Sequence, residues 1–204
     1  GNTGIAYAML GAYYQKPVKL ALPENASEER KVILANYGAE VHYTSALEGT
    51  DGAQRYVEKV LSEEPDRYYC PDQYNNDENW QAHFRGTGPE IWEQSMRKVT
   101  HFVAGLGTTG TFIGTSRFLQ PKGVCCVAVQ PDSPMHGLEG WKHLETVMVP
   151  GIYDADVADK VVAVSTEKAF SYAKASSRYL GLHLSPSSAA NLVAAMELAS
   201  TLTS

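Results

Sequence analysis

The chain has 204 residues, 44% of them hydrophobic and 20% charged, with a formal net charge of −6. That length buries roughly 70% of its unfolded surface, as one large domain or two small ones, and an acidic chain without a basic stripe excludes nucleic acid as its main partner. No apolar run approaches the ~18 residues of a membrane span, no signal peptide is visible, and three cysteines (Cys70, Cys125 and Cys126) without zinc or redox spacing suit a reducing cytoplasm.

The sequence opens Gly1-Asn2-Thr3-Gly4, with no Met and no strand ahead of it, so the natural N-terminus is expected upstream. Ile5, Ala6, Ala8, Met9, Leu10 and Ala12 then predict a helix that is apolar nearly all round and therefore buried. Asn2 and Thr3 are placed to cap it. Val18–Pro23 reads as a short strand, Glu28–Tyr37 as a helix capped by Asn25 or Ser27 and ended by Gly38, and Ala39–Thr44 as a second strand. Asp51–Ser62 is an amphipathic helix broken by Pro65, and Tyr68–Cys70 a third strand. The polar stretch Pro71–Trp80 predicts a loop and a boundary between two lobes.

Gln81–Met96 contains GTGPEIWEQSM, where Pro89 suits the first turn of a helix. Val124–Gln130 (VCCVAVQ) is a continuous apolar run, the pattern of a parallel strand covered on both faces. Pro131–Asp156 is irregular; Lys160–Ser165 reads as a strand and Thr166–Leu180 as a helix, and Pro186 leads into a last helix, Ala189–Leu202. Alternating strands and helices predict an α/β fold with parallel sheets and helices on both faces.

The stretch with the clearest chemistry is His101–Arg117. Phe102–Ala104 is strand-like, Gly105 to Thr111 (GLGTTGT) is a glycine and threonine loop, and Phe112–Leu119 reads as a helix. A strand that passes through such a loop into a helix N-terminus makes an anion site. The first helical N–H groups lack intrahelical acceptors, the dipole adds positive charge, glycines admit a phosphate, and threonine hydroxyls can donate. The loop alone leaves the ligand open. Gly105, Gly107 and Gly110 also fit a dinucleotide fingerprint, but Gln130 follows the next strand where an acidic ribose partner is expected.

Four polar loops together, Gly1–Gly4, Gln73–Asn76, Gly105–Thr111 and Ser185–Ser188, resemble the pyridoxal-phosphate enzymes of the cysteine synthase and cystathionine β-synthase group (fold-type II). The match is nearest to the cysteine synthase branch and runs over almost the whole chain. Its most specific pieces are GNTG, LPEN, GTGPEIW, HFVAGLGTTGT and LSPSSAAN.

The resemblance implies a two-lobed parallel-sheet fold, like that of tryptophan synthase β. Residues 1–70 would be most of the smaller mobile lobe and 71–204 most of the larger cofactor-binding lobe. It implies pyridoxal 5′-phosphate held by Gly107, Thr108, Thr109, Gly110 and Thr111. Asn2 would meet the pyridoxal 3′-oxygen, Thr3 and Gln73 the substrate carboxylate, and Ser187 the pyridine nitrogen, with Ser188 the alternative because the run reads SPSSAA. A neutral serine there leaves the ring nitrogen unprotonated, which suits β-elimination and replacement.

The family's Schiff-base lysine lies upstream of GNTG, so no lysine of this chain takes that role, and the chain by itself is expected to be inactive. The implied reaction converts an activated serine (O-acetylserine or O-phosphoserine) and a sulfide-level donor into L-cysteine, in a cytoplasmic homodimer without metal. Lys142 and His143, in the segment His136–His143, are cationic candidates near the mouth of the site. Cystathionine β-synthase, serine/threonine dehydratase and a non-catalytic binding domain use or retain the same scaffold and stay open as alternatives. Read without the resemblance, Ser187 is equally an N-cap and Gln73 an ordinary loop residue.

Overall fold

The computed structural model describes residues 1–202. The chain folds as two compact units, Gly1–Cys70 and Pro71–Ser204. Both are α/β with parallel sheets.

In the first unit, β1 (Lys19–Pro23) pairs in parallel with β2 (Glu40–Thr44), with Lys19 opposite Glu40 and Pro23 opposite Thr44. The crossover is α2 (Glu28–Asn36), as a parallel pair requires. Helix α1 (Asn2–Tyr13) and α2 close over Ala8, Leu22 and Leu34, flanked by Ile5, Leu20, Ala26, Ala39 and Val41. Helix α3 (Gly49–Glu63) packs on both strands, and His42 stacks on Tyr56 with ring centroids 3.7 Å apart.

Three expectations fail in this unit. Helix α1 is not buried all round: Tyr13 is 78% exposed, and Met9 and Leu10 are also exposed. Composition gave it no polar face, but the unit offers neighbours on one side only. Asn2 and Thr3 do not cap α1; Gly1 holds the cap position and Asn2 is already helical. Tyr68–Cys70 forms no strand. Aromatic residues favour strands only where a neighbouring strand supplies the ladder. Here Tyr69 is left 86% exposed, while the Tyr68 ring receives the Lys19 ammonium at 5.9 Å and the Arg67 guanidinium at 5.3 Å.

The second unit holds three parallel strands in the order β3 (His101–Gly105), β4 (Cys125–Pro131) and β5 (Lys160–Val164). β4 is central, and Val127, Ala128 and Val129 are buried. Its alternating side chains feed two cores. Cys126 and Ala128 meet Phe112, Ile113 and Leu119 of helix α6 (Gly110–Leu119). Val129 meets Ala169 of α7 (Thr166–Ala175) and Ala190, Val193 and Ala194 of α8 (Pro186–Thr201). A strand covered on both faces is therefore apolar without alternation.

The polar stretch after Pro71 is shorter as a loop than its composition suggests. Helix α4 (Glu78–Ala82) starts within it, because Asn76 Oδ1 accepts from the Glu78 N–H at 3.0 Å and Trp80 Nε1–H donates to Asp77 Oδ1 at 2.9 Å. One π-helical turn, His83–Thr87, joins α4 to α5 (Gly88–Gln94). The Gly88 N–H donates to the His83 carbonyl five residues back. The wide turn sits directly before Pro89, which has no N–H to continue the α-helical ladder. A second π turn, Ser176–Leu180, ends α7 earlier than the pattern suggests. Among the described residues, no helix is long and apolar enough to cross a membrane.

Candidate active site

The GLGTTGT stretch lies at the carboxyl end of β3, where ligands bind in parallel α/β sheets. Leu106 holds the loop to β4 through its N–H on the Val129 carbonyl, at 2.8 Å. Helix α6 then begins at Gly110, two residues earlier than its apolar pattern indicates, with Thr109 as N-cap. The N–H groups of Gly110, Thr111 and Phe112 fall in its first turn, where no intrahelical acceptor exists. The loop is closely covered: a Cβ on Gly107 would overlap the Gly140 carbonyl, and one on Gly110 would overlap Asn79 Oδ1.

Thr109 is the strained point. Its φ is 71°, in the left-handed region that a β-branched residue avoids. It is 2% exposed, and its Oγ1 is buried without a hydrogen-bond partner among the described residues. Backbone strain and an unpaired buried hydroxyl at a helix N-terminus both oppose stability. The neighbouring threonines are engaged. Thr108 Oγ1 lies 3.0 Å from Asn79 Nδ2, and Thr111 Oγ1 lies 3.1 Å from His83 Nε2, whose Nδ1 is 2.9 Å from Thr87 Oγ1. Burial pushes the His83 pKa below the ordinary histidine value, which favours the neutral ring. These residues suit an anion such as a phosphate: free helical N–H groups, three hydroxyls, and glycines where the backbone must close.

Asn79 and His83 are the residues that the sequence reading passes over. They lie four apart on one helical stretch, so they share a face. Asn79 Nδ2 also donates to the Gln73 carbonyl at 2.6 Å, which joins the Gln73 loop to the phosphate-loop residues. The spacing Asn79-x-x-x-His83 between two polar loops was the available signal.

Asn2 and Thr3 lie in the first turn of α1, in the first unit. Ser187 sits in the first turn of α8, not at its cap. Ser185 is the N-cap, its Oγ accepting from the Ser188 N–H at 3.2 Å. Ser187 Oγ is 3.1 Å and Ser188 Oγ 3.0 Å from Ser185 Oγ. Ser187 is half-buried and Ser188 exposed.

The segment after β4 covers the loop. The Lys142 N–H donates to the Leu106 carbonyl at 2.8 Å. The Lys142 side chain is buried, with its ammonium 3.2 Å from the Met148 carbonyl and 5.1 Å from the Tyr74 ring centroid. His143 Nδ1 lies 3.0 Å from Thr146 Oγ1. Gln130, where a dinucleotide site would place an acid, accepts from the Leu144 N–H at 3.3 Å. Cys126 is buried, and burial pushes its thiol pKa up, which disfavours the thiolate.

Over residues 1–204 the sequence matches the family described as pyridoxal-phosphate dependent enzyme. A cysteine synthase of Aquifex aeolicus is 46% identical over 201 residues, which are 98% of this chain and 62% of that protein. The crystal structure of a cysteine synthase from Entamoeba histolytica superposes with a TM-score of 0.88 at 33% identity, covering 98% of this chain and 61% of that one. An O-acetylserine dependent cystathionine β-synthase from Helicobacter pylori gives a TM-score of 0.90 at 32% identity, covering 100% and 68%. The chain thus spans about three fifths of the length of its cysteine synthase relatives. With the match running over every residue and the loop geometry agreeing with it, the chain belongs to the pyridoxal-phosphate dependent enzyme family.

Proposed function

We propose that the natural protein is a pyridoxal-phosphate-dependent cysteine synthase. It forms L-cysteine by β-replacement on an activated serine, O-acetylserine or O-phosphoserine, with a sulfide-level donor. The observation that carries this reading is the start of α6. There Thr109 holds a buried, unpaired hydroxyl in a strained conformation beside helical N–H groups that need an acceptor. Identity with cysteine synthases supports the choice within the family.

When bound, pyridoxal phosphate supplies the electron sink that β-elimination and replacement need. The first-turn N–H groups of α6 and the hydroxyls of Thr108, Thr109 and Thr111 hold its phosphate. Gly107 and Gly110 let the backbone approach. Asn2 donates to the 3′-oxygen, and Thr3 and Gln73 orient the substrate carboxylate. Ser187, with Ser188 as the alternative, faces the pyridine nitrogen as a neutral partner.

Residues 1–70 act as the mobile lobe that excludes water once the carboxylate is bound, and 71–204 as the cofactor lobe. No lysine of this chain is assigned the Schiff-base role. The protein works as a cytoplasmic homodimer.

Product analysis with the natural full-length protein tests the assignment. O-acetylserine plus sulfide should yield cysteine. Cystathionine from O-acetylserine or serine plus homocysteine, without cysteine from sulfide, would instead favour the activity named for the Helicobacter pylori relative.

A further inference from the structure

The side-chain amide of Asn79 stands between two loops that the proposed function uses for different ligands. One amide atom lies 2.6 Å from the Gln73 carbonyl oxygen and 3.0 Å from Thr108 Oγ1. A carbonyl oxygen only accepts, so the atom facing it is the nitrogen, and the orientation of the amide is fixed. A primary amide nitrogen has two hydrogens. One goes to Gln73 and the other to Thr108. Thr108 Oγ1 is therefore an acceptor toward Asn79, and its single proton is left to donate elsewhere. Oδ1, on the other side, rests against Gly110, the first residue of α6. One side chain thus touches the Gln73 loop, a hydroxyl of the phosphate loop and the start of the helix.

We propose that Asn79 is a positioning residue: it turns the Thr108 hydroxyl into a phosphate donor and ties the Gln73 loop to the phosphate loop. The cofactor phosphate and the substrate carboxylate are then bound in one fixed register. This deepens the pyridoxal-phosphate reading above and rests on it.

The test uses the natural full-length protein and four forms: wild type, Asn79→Leu, Thr108→Ala and the double variant. Leucine has the shape of asparagine and carries no charge, so it removes the donors without adding repulsion. Equilibrium dialysis gives dissociation constants for pyridoxal 5′-phosphate and for pyridoxal, which lacks the phosphate.

The expected result is a roughly three- to tenfold weaker affinity of Asn79→Leu for pyridoxal 5′-phosphate, the span of one net hydrogen bond. Affinity for pyridoxal stays within about twofold. In the Thr108→Ala background the same substitution adds less than about twofold, because its effect runs through the Thr108 hydroxyl. If Asn79→Leu does not fold, Asn79→Ala carries the same comparison.

Equal weakening toward both ligands assigns Asn79 to general packing and overturns the proposal. Wild-type selectivity in Asn79→Leu, with selectivity lost in Thr108→Ala, overturns the role of Asn79 and leaves the phosphate loop standing. Wild-type selectivity in both variants overturns the phosphate assignment itself, and the role of Asn79 with it.

Discussion

Replacing Thr109 by glycine should make the protein more stable and its cofactor site weaker. The φ of 71° costs an L-residue about 1–2 kcal/mol, which glycine does not incur. Removing the unpaired buried hydroxyl relieves roughly 1 kcal/mol more, the low end for an unsatisfied group. Against this stand the extra backbone entropy of glycine, about 0.5–1 kcal/mol, and the lost burial of a methyl, about 0.8 kcal/mol. The balance is a gain of about 1 kcal/mol, which for a chain of this length raises Tm by roughly 2–4 °C.

The same hydroxyl, donating to a phosphate, would contribute about 1.5–3 kcal/mol, so affinity for pyridoxal 5′-phosphate should fall by about ten- to a hundredfold. Thermal melts without cofactor and dialysis with it give the two numbers separately. A Thr109→Gly protein that melts below wild type would refute the strain argument. One that binds the cofactor as tightly as wild type would refute the role of the hydroxyl.

Other substitutions probe the surroundings of the loop. Gly110→Ala drives a Cβ into Asn79 Oδ1 and should lower stability by about 1–3 kcal/mol, seen as a lower urea midpoint. Ser185→Ala removes the N-cap of α8 and should cost about 0.5–2 kcal/mol in the same assay. His83 and His136 both have pKa values lowered mainly by burial, so the unfolded chain binds protons that the folded chain does not. Their contribution is present above the ordinary histidine pKa, about 6.5, and is lost as pH falls below it toward the lowered values. His83→Gln should flatten part of that slope in urea titrations between about pH 7 and 5, and an unchanged slope would count against the burial of the ring.

How far the sequence reaches depends on the range of the interaction that sets each feature. VCCVAVQ is legible because burial on both faces is written into the run itself, and β4 is the central strand of its sheet. GLGTTGT is legible because tight backbone approach demands glycine at particular positions. Tyr68–Cys70 and the outer face of α1 are not, because strand formation and burial there depend on neighbours that local patterns do not specify. The π turn at His83–Thr87 follows from Pro89, yet the sequence shows only that the proline is there. Asn79 and His83 escape notice for a related reason. Their partners Thr108 and Thr111 lie 29 and 28 residues away, and only the packing of α4 and the turn after it against α6 brings them together.

The central claim is that the loop leading into α6 holds the phosphate of pyridoxal phosphate. Its most direct test is the cofactor absorbance that survives exhaustive dialysis of the full-length Thr108→Ala/Thr109→Ala protein beside wild type. Wild type should keep its cofactor while the double variant loses most of it and remains folded. Equal retention by the two proteins would contradict it.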